Sequence, residues 1–179
     1  MQKIVLTFGL ISGAILVAIS VFIWAAMIGD NGQLNAGAVG EFTGYVTMIV
    51  ALSMVFFGTR TYRDKHLAGS ITFGKAFKVG ILITLVASTI YVAAWMIYYH
   101  TSEAAQHFPE QYLNHMIEEV KSKGLDQTQQ DAKIAQLTQQ MVAYKNPIVM
   151  MGVTLMEIFP VGLIITLISS FILKRNPSI

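Results

Sequence analysis

The sequence predicts an all-α membrane protein with four transmembrane helices and a helical hairpin between the third and fourth. Three observations carry that reading. Only 12% of residues are charged, 54% are hydrophobic and the mean hydropathy is +0.58, whereas a soluble domain carries about 25% charged residues. Four apolar runs approach or exceed the ~20 residues that a helix needs to cross a hydrocarbon core about 30 Å thick. One polar stretch, 101–146, instead repeats apolar residues at steps of three and four. The chain 1–179 reads as a single four-span domain with that stretch inserted.

The first run, 4–28, carries no charge and passes through Phe22 and Trp24. A signal-peptide apolar region is only about 7–15 residues long, so this is a retained helix. The second, 42–58, is bracketed by Glu41 and Arg60. The third, 79–97, follows Lys75 and Lys78 and ends near Trp95, Tyr98 and Tyr99. The fourth, 147–173, is closed by Lys174 and Arg175. Basic residues fix the expected orientation. Lys3, the loop residues Arg60, Arg63, Lys65, Lys75 and Lys78, and the tail residues Lys174 and Arg175 put both termini and the middle loop in the cytoplasm. The stretch 101–146 then lies outside.

That stretch reads as two helices. Phe108, Tyr112, Leu113, Met116, Ile117 and Val120 share one face, with Pro109 suited to a first turn and Gly124 to a stop. Asp126 with Gln129 resembles a capping box, and Ile134, Leu137, Met141 and Tyr144 form the second stripe. The stripes are expected to face each other or the membrane surface. This hairpin is also where a protein partner or a second copy would dock.

Several chemistries find no support in the sequence. With no cysteine there is no disulfide, zinc–thiolate site or cysteine nucleophile. A net charge of +2 gives no nucleic-acid surface. The stretch GSITFGKA, 69–76, falls one residue short of a phosphate loop, with Ala76 where the magnesium-binding hydroxyl belongs. It also lacks a sheet to present it, so Lys75 and Lys78 read as membrane anchors and no nucleotide is expected. His107 lies four residues from Glu103 and His115 four from Glu119, but no third ligand accompanies either pair. No metal, cofactor or enzymatic constellation is expected.

Gly9–Gly13 and Gly40–Gly44 are small-residue steps that let helix backbones approach closely, within the bundle or in a homodimer. Glu157 is different in kind. At 1.5 Å per residue from Pro147 it lies roughly 15 Å deep, near the bilayer centre. A charged carboxylate there costs at least ~2.5 kcal/mol on insertion scales, so the neutral acid is the expected form. Pro160 has no N–H and frees the carbonyl of Met156. Ser20, Thr47, Ser88 and Thr89 fall at similar depth, which predicts a polar cluster at that level. Glu157 is then either a hydrogen-bonded tie between helices or a carboxyl that binds and releases a proton or cation.

The stretches FFGTRTYRDKHLAGSITFGKAFKVG (56–80) and MEIFPVGLIITLISSFIL (156–173), with YKNP (144–147), resemble a bacterial membrane family, domain of unknown function 4199. The likeness extends over nearly the whole chain. It implies a small four-helix protein of the bacterial inner membrane, in which the outward hairpin expected from the basic residues is periplasmic, with Glu157, Pro160 and Gly162 as pattern positions. It implies no activity.

Overall fold

The computed structural model describes residues 1–27 and 38–175, and the side chains of 1–23 and 42–175. Its described helices are α1 (Gln2–Met27), α2 (Ala38–Leu52), α3 (Met54–His66), α4 (Phe73–Thr101), α5 (Glu103–Ser122), α6 (Gln127–Tyr144) and α7 (Pro147–Leu173). Among the described residues, four segments are long and apolar enough to cross a membrane: Gln2–Ile23, Phe42–His66, Phe73–Thr101 and Pro147–Leu173. The expected hairpin is present as the α5–α6 pair, so the helices do not form a bundle of four alone, and the second span is built from two helices rather than one.

That divided span is the second. Its expected end at Gly58 is too early, because the helix continues to His66. The polar turns beyond Arg60 still present Tyr62 to the core beside Val5, Val55 and Val79. The division falls at Ser53, whose N–H reaches both Ile49 O (3.0 Å) and Val50 O (3.3 Å). Its hydroxyl also donates to Val50 O at 2.6 Å. The helix stops at Ala68 and Gly69, both with positive φ (50° and 82°), where Gly69 N–H bonds back to Arg63 O. Thr72 then caps α4, its side chain accepting from Lys75 N–H at 3.4 Å. The phosphate-loop look-alike 69–76 is thus a turn and a helix start.

In the hairpin, Pro109 does not open the helix. Ser102 caps α5 first, accepting from Ala105 N–H at 3.4 Å, so Pro109 lies inside the helix and is buried. Gly124 has φ +65° just past the end of α5. Asp126 caps α6 by accepting from Gln129 N–H at 2.9 Å. Asn146 caps α7 by accepting from Ile148 N–H, with Pro147 at the first helical position. The two stripes meet: α5 packs on α6, with Val120 buried and Tyr112, Leu113, Met116, Ile117, Ile134, Leu137 and Met141 half-buried.

α4 is the central helix, packed most extensively on α1 and α7. Three apolar clusters stack along the molecule: Ile71, Ala76 and Leu173 at one end; Val5, Val55, Val79 and Ile83 above them; then Leu16, Met48, Ala51, Leu52, Ala87, Tyr91 and Ile158. The turn after α3 and the end of α7 are tied by paired backbone bonds between Ile71 and Arg175, 3.0 and 2.9 Å. The start of α1, the α3–α4 turn and the end of α7 therefore share one end of the molecule, away from the hairpin.

Candidate functional site

α7 turns one face to α4. Met150, Thr154, Ile158, Gly162, Thr166 and Ser170 recur by fours and are buried. Gly162 is a requirement of this contact, since a Cβ there would collide with the Thr84 methyl. Thr84 Oγ1 sits 3.1 Å from Thr166 Oγ1 and 3.4 Å from Gly162 O. Gly80 repeats the arrangement one turn away, where a Cβ would lie 2.9 Å from Thr166 Cγ2. Polar hydroxyls thus line a contact made close by missing side chains.

Glu157 precedes Ile158 and so turns off that face. It is exposed on the protein surface, beside Met156, which is 77% exposed. Pro160, also exposed, interrupts the hydrogen-bond ladder one turn on, at the Met156 carbonyl. Among the described residues, no donor hydrogen-bonds the Glu157 carboxyl. Two hydroxyls stand within electrostatic reach of it, those of Tyr91 on α4 and Tyr144 at the end of α6. Tyr91 is buried, with the Ser20 side chain of α1 nearby. Tyr144 OH accepts from Trp95 Nε1 at 2.8 Å and lies near Thr154. The Thr154 hydroxyl donates to Met150 O at 2.9 Å. Burial raises the Tyr144 hydroxyl above the ordinary phenol value, so at neutral pH it is a proton donor.

The polar level expected at Glu157 is only partly realised. Ser20 reaches it indirectly, through Tyr91. Thr47 bonds back to Thr43 O at 2.9 Å, within its own helix. Ser88 is buried with no partner among the described residues. Thr89 is exposed and bonds back to Leu85 O at 2.8 Å. Equal depth did not bring them together, because each side chain points where its own helix phase directs it. The groups that do converge are Tyr91, Trp95, Tyr144 and Thr154. Trp95 and Tyr144 were legible as interface and stripe residues, but their pairing across 49 positions was not. Ser12, whose buried hydroxyl donates to Ala51 O at 2.7 Å, is a second tie that no pattern announced.

The glycine steps divide. A Cβ on Gly9 would meet Val86 at 2.6 Å and one on Gly13 would meet Ile90 at 2.7 Å, so this step seats α1 on α4. Gly44 has nothing within 4 Å, and the surroundings of Gly40 lie outside the described side chains. The cytoplasmic-anchor candidates share one end: Arg60 and Arg63 both pair with Asp64 (3.6 and 2.7 Å), and Lys65, Lys75 and Lys78 are exposed. Among the described residues, no three of His, Asp and Glu converge as metal ligands.

No curated protein and no solved structure matches the chain. The family described as "Protein of unknown function (DUF4199)" matches residues 7–175, almost the full length. The chain belongs to that family.

Proposed function

We infer that this is a multi-pass protein of the bacterial inner membrane with a non-enzymatic role in structure or protein association. In this reading, α7 meets a second membrane helix around Glu157. Both termini and the α3–α4 turn face the cytoplasm, in keeping with the Lys and Arg at that end, and the hairpin faces the periplasm, within reach of a protein partner. One observation carries the reading. Glu157 stands exposed on α7, the least buried of the four spans, with no described hydrogen-bond donor. A charged carboxylate against lipid costs at least ~2.5 kcal/mol, and even the neutral acid leaves a donor and an acceptor without partners there. The same carboxyl on a second copy offers both a donor and an acceptor, and an isologous contact closes two such bonds at once.

A second reading, proton- or cation-coupled transport through Glu157, draws on the Tyr91 and Tyr144 hydroxyls within electrostatic reach of the acid. The two readings separate on one set of variants. The chain has no cysteine, so Met156→Cys places a unique thiol beside Glu157, and Phe22→Cys places one on exposed α1. Association predicts oxidative dimers in native membranes from Met156→Cys and not from Phe22→Cys. Adding Glu157→Gln preserves them, since an amide also pairs with itself, and Glu157→Ala abolishes them. No Met156→Cys dimer, with a monomer mass in nanodiscs, would sink the association reading. A pH-dependent flux in liposomes that Glu157→Gln alone abolishes would establish transport instead.

A further inference from the structure

The end of the molecule away from the hairpin carries charge that no neighbour neutralises. Arg60 and Arg63 share the carboxylate of Asp64. Lys65, Lys75, Lys78, Lys174 and Arg175 are exposed and have no acidic partner among the described residues. Three elements deliver them: the last turn of α3, the first turns of α4 and the end of α7. The two backbone bonds between Ile71 and Arg175 fix those elements together, over the buried side chains of Ile71, Ala76 and Leu173. The charges therefore stand on a preformed platform, and little ordering is needed before they act together.

The platform also has an apolar margin. Phe73 at the start of α4 packs on Phe171 of α7, ring centroids 4.7 Å apart. Phe171 is exposed toward the side of the bundle, and Lys174 Nζ lies 5.2 Å from its centroid. A cation above an aromatic edge, at the end of a membrane-length helix, matches a lipid in both of its parts. The ammonium and guanidinium groups meet phosphate and the ring meets the upper acyl chain.

We propose that this basic end binds the headgroups of anionic glycerophospholipids, with Lys75, Lys78, Lys174 and Arg175 receiving phosphate beside the Phe73–Phe171 pair. The surface acts independently of Glu157 and needs no second copy. Lys65 adds to the local field, while the Arg60–Arg63–Asp64 group is already neutralised in part and contributes less.

The test uses the full chain in phosphatidylcholine nanodiscs with and without phosphatidylglycerol, reading retained lipid by native mass spectrometry and thermal unfolding in parallel. One variant neutralises the platform (Lys75→Gln, Lys78→Gln, Lys174→Gln, Arg175→Gln). Its control removes equal charge from the hairpin (Lys121→Gln, Lys123→Gln, Lys133→Gln, Lys145→Gln). Wild type and the hairpin control are expected to retain phosphatidylglycerol and melt higher in its presence. The platform variant is expected to lose both effects, about fivefold in affinity for each charge removed. Equal losses in the two variants, or none in the platform variant, overturn the proposal. Inorganic phosphate that raises the melting temperature of wild type in phosphatidylcholine as far as phosphatidylglycerol does overturns the lipid assignment. If circular dichroism shows the platform variant unfolded, a salt series on wild type decides instead. Retention must fall as salt screens the headgroups, and retention indifferent to salt overturns the proposal.

Discussion

The Trp95 indole donates to the Tyr144 hydroxyl at 2.8 Å, and this bond clasps the hairpin to the membrane helices. Trp95 is buried on α4 and Tyr144 is the last residue of α6. The Thr154 side chain of α7 lies near the Tyr144 hydroxyl, so three helices come together around one oxygen. Edge contacts from Trp95 to Phe108, centroids 5.6 Å apart, extend the clasp to α5.

Removing either partner should therefore loosen the hairpin. Tyr144→Phe should cost about 1 kcal/mol, the net worth of a part-buried hydrogen bond. Trp95→Phe should cost more, because it also removes packing. The decisive measurement is the double-mutant cycle by reversible unfolding in detergent, where a coupling of about 1 kcal/mol is expected. Strict additivity would mean the bond carries no stability.

The same hydroxyl predicts an alkaline limb. Its folded-state pKa is raised, first of all by burial. The stabilisation is then complete below the unfolded value of ~10 and is lost as pH climbs through the higher folded value. Unfolding followed at rising pH should show wild type losing stability above pH ~10 more steeply than Tyr144→Phe. Parallel curves for the two proteins would contradict this.

Gly162 and Gly44 make a matched pair. A Cβ at Gly162 collides with the Thr84 methyl and one at Gly44 meets nothing. Gly162→Ala should destabilise by about 1–3 kcal/mol through overpacking. Gly44→Ala, inside α2, should be neutral or stabilise by up to about 1 kcal/mol through helix propensity. Melting temperatures of the two variants in one detergent provide the comparison, and a reversed order would show that the α4–α7 contact is looser than described.

Ser12→Ala should lower stability by about 1 kcal/mol, since it strands the buried Ala51 carbonyl that Ser12 now satisfies at 2.7 Å. Ser12→Thr should recover little of that loss, because the added methyl enters a buried site. Equal stability of wild type and Ser12→Ala in chemical unfolding would show that another donor replaces the hydroxyl.

What could be read from sequence here was what depends on solvent and on local backbone chemistry. Four runs of apolar residues had to become membrane-length helices, because unpaired backbone groups are not tolerated in hydrocarbon. Asp126 and Asn146 had to cap helices, because their oxygens reach the free N–H groups of the following turn. Even locally, competition misled: Ser102 outran Pro109 as the start of α5, and half-buried Tyr62 carried α3 past Arg60. The site was harder to read. Depth along a span can be counted from residue number, and that count singled out Glu157. Azimuth around the bundle depends on how the other helices pack against the one in question. Only the tertiary structure could turn Thr89 and Thr47 back to their own helices, bring Tyr91 and Tyr144 toward Glu157, and leave that carboxyl on the open side of α7.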